Sequence, residues 1–264
     1  MVYITGDTHG PTPFGLHSVD GYGPRFNKEN FPEQKEMSRD DFVLVCGDFG
    51  IWDDSNSERY WLDWLEKKNF TLCFVDGNHE NFDRLYGNEF EIVDFHGGKA
   101  HKIRENVYHL MRGYIFELCC RKIFAFGGAS SHDIQDGILD KNDYLTEEEF
   151  LQVKKQWNKS NKMYRINHIS WWKEELPSQK EMDFGLSTLQ KHNNEVDFIV
   201  SHCCPQNVAA TFSAGMYKPD ILTEYFDLVD NRVKFKKWFF GHYHNDTQVL
   251  CDYIMLYDQI IRIA

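Results

Sequence analysis

The sequence predicts an α/β domain made of two packed β-sheets with helices outside. Three observations carry that prediction. Short apolar runs recur at wide spacing, and each ends in a Gly, Asp, Asn or His, as strands buried on both faces of a sheet do. Capping residues open amphipathic stretches between those runs. Closely spaced strand-like runs fill the middle of the chain and its end.

In chain order, residues 2–4 form the first strand and precede Asp7. Residues 42–46 precede Asp48, and 71–75 precede Asn78. Residues 197–200 precede His202, and 238–240 precede His242. Open α/β sheets bind ligands just past the carboxyl ends of such strands. Between them, Ser57 caps a helix whose Tyr60, Trp61, Trp64 and Leu65 share one face. Thr146 with Glu149 forms a capping box ahead of Phe150, Val153 and Trp157. Ser178 with Glu181 forms another, ahead of a helix toward Leu189. Pro219 suits the start of a helix carrying Ile221, Leu222, Tyr225, Phe226 and Val229. Residues 90–93, 107–111, 114–118 and 122–126 read as a meander with a turn at Arg112-Gly113, and 247–263 as further strands. The lysine-rich stretch 234–237 reads as a solvated helix end. Stretches 10–35 and 158–177 are polar and irregular, and each is either a loop over a site or a surface excursion. Trp171 and Trp172 either stack on a base or ring or pack such a loop. With no repeat and no linker, residues 1–264 are expected to be a single domain.

Hydrophobic residues make up 42% of the 264, enough for a sizeable core. The apolar runs are strand-length, which argues against a membrane span. Met1 leads straight into the first strand run, so a cytoplasmic protein without a signal peptide is expected. Net charge is −12 and no Lys/Arg run stands out, which argues against stable binding of long nucleic acid. A small phosphorylated substrate remains open, because bound cations would reverse the local field. The seven cysteines show no paired CxxC spacing. Cys46 and Cys73 read as core residues, and Cys203 and Cys204 as core residues or weak extra ligands beside His202.

The chemistry lies in five strand-end motifs: Gly6-Asp7-Thr8-His9, Gly47-Asp48, Gly77-Asn78-His79-Glu80, His202, and Gly241-His242-Tyr243-His244. Asp, Asn and His hold hard-to-borderline divalent metals. Any one of them alone has a plain structural reading: Asp7 as a helix cap, His202 as a satisfied core histidine. Their recurrence at five strand ends points to two metal ions side by side, and so to metal-assisted hydrolysis of a phosphate ester.

In order and completeness these motifs resemble the calcineurin-like metallophosphoesterase superfamily, over residues 6–244. Gly127-Gly128-Ala129 resembles segments of its bacterial and phage-type members. The resemblance implies a four-layer αββα sandwich with two mixed β-sheets. It also implies that Asp7, His9 and His244 hold one metal, that Asn78, His202 and His242 hold the other, and that Asp48 bridges them. A metal-bridging hydroxide would be the nucleophile. His79 would lie beside the scissile phosphate, as a proton donor or a charge stabiliser. Glu80 and Asp76 could orient imidazoles. Manganese, iron or zinc would suit the ligands, as divalent or trivalent ions.

The sequence departs from the family's protein phosphatases. Ile51, Trp52 and Asp76 stand where those members carry an Asp and two arginines. Without a guanidinium clamp, the site is expected to lean toward phosphodiesters. A Ser/Thr-type protein phosphatase or other phosphomonoesterase is the alternative, followed by a nuclease or a non-catalytic metal-binding scaffold. Arg25, Arg84 or His132 could supply the missing contacts, and residues 127–133 could line the pocket.

Overall fold

The computed structural model describes residues 1–10 and 22–264. The chain begins with β1 (Val2–Thr5), a single helical turn α1 (Tyr22–Arg25), β2 (Phe42–Val45), α2 (Asn56–Glu66), β3 (Thr71–Phe74) and the short α3 (Phe82–Leu85). A meander follows: β4 (Glu91–Phe95), β5 (Gly98–Arg104), β6 (Val107–Leu110), β7 (Tyr114–Leu118) and β8 (Arg121–Phe126). An excursion then carries β9 (Gly137–Leu139), α4 (Glu147–Lys159) and β10 (Tyr164–Ile166). After it come α5 (Gln179–Lys191), β11 (Phe198–Ser201), α6 (Gln206–Ser213), α7 (Ile221–Asp230) and β12 (Lys237–Phe240). The last strands are β13 (Thr247–Leu250), β14 (Tyr253–Met255) and β15 (Ile261–Arg262).

These elements form two large mixed sheets. One has strand order β15-β1-β2-β3-β6-β5-β4 and the other β13-β14-β12-β11-β8-β7; β9 and β10 pair separately. Strands β1, β2 and β3 run parallel, as do β8, β11 and β12. The period-two alternation of strand side chains divides each sheet between two cores. In β2, Phe42 and Leu44 face the other sheet while Val43 and Val45 face α2. In β11, Phe198 and Val200 face inward while Ile199 packs toward the face covered by α5 and α7. Helix, sheet, sheet and helix thus stack in four layers, the αββα sandwich. Both parallel blocks direct their carboxyl ends to one edge of the interface.

Local chemistry explains most elements. The capping boxes at Thr146–Glu149 and Ser178–Glu181 start α4 and α5 as expected. Helix α7 starts behind an Asp220 cap, one residue after Pro219. The cap of α2 is Ser55, not Ser57: its side chain accepts from the Glu58 amide. The lysine-rich stretch 234–237 is not a helix end. Lys234 bridges to Glu195, and Lys237 opens β12. Strand β5, which the sequence reading passed over, hides among alternating lysines and buried Ala100, His101 and Ile103. The stretch 158–177 contains β10 and a 3-10 turn at Lys173–Glu175. Of the stretch 10–35, residues 11–21 lie outside those described; the rest includes α1 and a 3-10 turn at Pro32–Glu36. Trp172 is buried edge-on against Trp52, so it packs rather than stacks on a ligand. Among the described residues, no helix is long and apolar enough to cross a membrane.

Candidate metal centre

The loops leaving β1, β2, β3, β8, β11 and β12 converge at that edge. Backbone hydrogen bonds fix their spacing: His9 donates to the Asp48 carbonyl, Gly241 to His202, and Gly128 to Asp76. Close approach demands glycine at Gly47, whose φ is +92° and where a Cβ would lie 2.3 Å from the His202 ring. Four expected ligands, His9, Asp48, His242 and His244, also have positive φ. Such conformations cost non-glycine residues ~1–3 kcal/mol each and cluster at functional sites.

Asp7, His9, Asp48 and His244 each bring a ligand atom within 4.8 Å of the others. His9 Nε2 lies 3.2 Å from Asp48 Oδ2, and His244 Nε2 lies 3.2 Å from Asp7 Oδ2. On the other side of Asp48, Oδ1 lies 3.2 Å from His202 Nε2 and accepts from the His79 amide at 2.8 Å. His202 Nε2 is in turn 3.3 Å from Asn78 Oδ1. Its Nδ1 donates to the Cys46 carbonyl at 2.7 Å, so Nε2 is the nitrogen that would give up its proton to a metal. His242 stands against His202, ring centres 4.9 Å apart, with its Nε2 turned to His132 Nε2 at 3.3 Å. All seven expected ligands are therefore at one edge, with His242 aimed differently from the rest.

The carboxylates of Asp7 and Asp48 are buried, and among the described residues neither pairs with a lysine or arginine. Burial would pull the His202 imidazole down, yet Asp48 and Asp7 hold it up to about 10. A site that draws a proton this strongly fits a divalent cation, which supplies the missing charge with a donor set of the right chemistry. Burial and the neighbouring His202 and His132 rings push His242 well below its ordinary value, so the ring is neutral and one of its nitrogens keeps a lone pair.

A family model, calcineurin-like phosphoesterase, matches residues 1–246. The chain belongs to the calcineurin-like phosphoesterase family. It is a metal-dependent phosphoester hydrolase that binds divalent metal, and the cluster of buried Asp7, His9 and Asp48 with the exposed His244 could hold such an ion. No curated protein matches it in sequence.

Around the ligands, the phosphoesterase differs from expectation in several places. Among the described residues, Glu80 orients no imidazole. Its carboxylate accepts from the amides of Phe49, Gly50 and Ile51 and so holds the loop after Asp48. Asp76 does orient one, but His109 rather than a ligand; it also pairs with Arg112 in a fully buried cluster. Cys203 and Cys204 lie in the core, where burial pushes the Cys204 thiol up to about 12, so neither presents a thiolate. Arg25 is spent on Thr5, the Gly6 carbonyl and Asp258, and Arg84 on Glu58 and Glu89. Only His132 of the three candidate phosphate contacts reaches the site.

Two further groups reach the site: Ser131, from the expected lining 127–133, and Arg165, which no motif singled out. Ser131 accepts weakly from the Asn78 amide at 3.4 Å and donates to buried Glu175 at 2.6 Å. Arg165 places Nη2 3.2 Å from His79 Nε2. Its only signal is its place in Tyr164-Arg165-Ile166, where the outer two residues pack on Leu139 and Phe150 and turn the arginine the other way.

Proposed function

We propose that the phosphoesterase works with two metal ions. Asp7, His9 and His244 hold the first, Asn78, His202 and His242 hold the second, and Asp48 bridges them. One observation carries this reading: the two oxygens of Asp48 face opposite donor groups, Oδ2 toward His9 and Oδ1 toward His202. Two ions so placed would act as Lewis acids on the phosphoryl group and supply a nucleophilic water at neutral pH. Hydrolysis breaks the bond from phosphorus to the leaving oxygen and makes one to the oxygen of water. The water's protons are shared between the departing alcohol and the surroundings.

The chain's own groups set the geometry of that exchange. The His79 amide fixes Asp48, and the Cys46 carbonyl fixes the His202 tautomer. Burial, aided by Arg165, lowers the His79 imidazole to about 4. At neutral pH the positive charge beside the ligands is then on Arg165, and His79 acts by position rather than as an imidazolium acid. The substrate is a small phosphorylated molecule. Arg165 brings a guanidinium to His79, which weighs against the diester preference expected from the sequence.

The test is metal content together with turnover of p-nitrophenyl phosphate and bis-p-nitrophenyl phosphate by Mn²⁺-loaded protein, with Asp48→Asn as the blank. Two ions per chain and turnover that disappears in the variant are expected. Equal turnover after exhaustive chelation, or in the variant, would defeat the reading.

A further inference from the structure

The geometry points to Arg165 as the side chain that binds a nonbridging oxygen of the substrate's phosphoryl group, with Asp133 as its positioning residue, and to phosphomonoesters as the favoured substrates. This rests on the phosphoesterase reading above and adds to it a residue and a substrate class.

The supporting contacts are specific. Arg165 is only 8% exposed although its charge would favour water. Its Nε donates to Asp133 Oδ1 at 2.6 Å, its Nη1 to the Ser170 carbonyl at 3.2 Å, and its Nη2 faces His79. A guanidinium carries five N–H donors. Among the described residues three are engaged, and one hydrogen remains on each terminal nitrogen. Nη2 meets the His79 ring, whose centre is 5.4 Å from the ring of the expected ligand His9, so a phosphoryl group at the ligands would come close to it.

The group is also held rigidly. The segment after β10 is fastened to the first sheet's side of the site. His168 and the Trp172 indole both meet Asp83, and Arg112 donates to the Glu174 carbonyl. A guanidinium fixed in advance loses little freedom on binding, and its planar donors match phosphoryl oxygens. A monoester presents three nonbridging oxygens and close to two negative charges near neutral pH. A diester presents two oxygens and one charge, so it gains less from the same contact.

The experiment compares wild type, R165Q, R165K and D133N, all loaded with Mn²⁺. It reads kcat/KM for the monoester and diester, inhibition by inorganic phosphate, and metal content. R165Q is expected to lose about 10–100-fold on the monoester and a similar factor in phosphate inhibition. The diester should change less than about 3-fold, and bound metal should be unchanged. R165K, which keeps the charge but not the planar donors, should recover part of the loss. D133N should shift the same ratio in the same direction by less. Equal losses on both esters, or unchanged phosphate inhibition with metal intact, would overturn the assignment. If R165Q does not fold, an unchanged ester ratio and unchanged phosphate inhibition in R165K would overturn it instead. If wild type hydrolyses neither ester, the two-metal reading above fails. Calorimetric binding of phosphate then still decides for Arg165, with equal affinity in wild type and R165K counting against it.

Discussion

The two regions that build the site carry their information differently. The strand-end loops contribute Asp7, His9, Asp48, Asn78, His202, His242 and His244, each within a few residues of a parallel strand. The excursion between β8 and α5 contributes Ser131, His132, Asp133, Arg165 and Glu175, spread over about 45 residues of mostly short elements. In the first region the backbone itself is committed to the site, through positive φ at four of the proposed ligands and a glycine pressed against His202. In the second, ordinary side chains reach in from an appended layer. The first region thus sets which reaction is available, while the second orients the groups around it. Asp48→Asn and Arg165→Gln separate the two, and the former has the largest expected effect. It should remove bound metal and cut turnover by more than the ~10–100-fold typical of groups that only orient a ligand, with circular dichroism unchanged. Retention of both ions in Asp48→Asn would place the bridging role elsewhere.

The next effect tests how firmly the regions are joined. Arg112 pairs with Asp76, next to Gly77-Asn78, and donates to the Glu174 carbonyl in the excursion. Both charged side chains are at most 2% exposed. Burial would raise the Asp76 carboxyl, but Arg112 and His109 hold it well below the usual range. Removing the cation leaves an uncompensated buried charge, so Arg112→Ala should destabilise the fold by about 3–5 kcal/mol in denaturant titration. A shift below about 1 kcal/mol would mean that His109 and water suffice.

Legibility in the sequence follows the same division. Ligand motifs were readable because metal-binding types had to follow strands directly, and capping boxes because both partners lie within three residues. Ser55 was also within reach, since Ser55-Asn56-Ser57-Glu58 fits the S-x-x-E pattern better than Ser57 does. Arg165 and His79 are 86 residues apart, and no local pattern announces a contact over that distance. Strand β5 escaped because its lysines mask an alternation whose buried members include His101. Glu80 looked like an imidazole partner because it adjoins one; its three bonds to backbone amides depend on the turn after Asp48.

A smaller effect should appear in the pH dependence of stability. Burial raises the Glu175 carboxyl from 4.5 to about 7, against the opposing hydrogen bonds from Ser131. The folded state therefore binds this proton more tightly than the unfolded chain does. That stabilisation is complete below about pH 4.5, is lost as pH rises to about 7, and changes little above it. Its full size is on the order of 3 kcal/mol. Glu175→Gln should flatten the stability profile across that window. An unaltered slope would show that Glu175 titrates normally.

Ser131 is where the two regions meet, and its variant should have the smallest effect of the series. Its hydroxyl donates to Glu175 and accepts from the Asn78 amide, whose oxygen faces His202. The contact with Asn78 is long, so it steers the amide more than it binds it. Ser131→Ala removes that steering but leaves the Ser131 backbone amide on Glu175. Metal affinity should then fall by about 10-fold, at the low end for groups that orient a ligand. On the proposed two-metal reading, the loss should be confined to one ion, because Asn78 belongs to only one donor group. A stepwise metal titration reads this directly. If both ions weaken together, the excursion supports the whole centre through Asp48, and the division between the two regions is less sharp than the geometry implies.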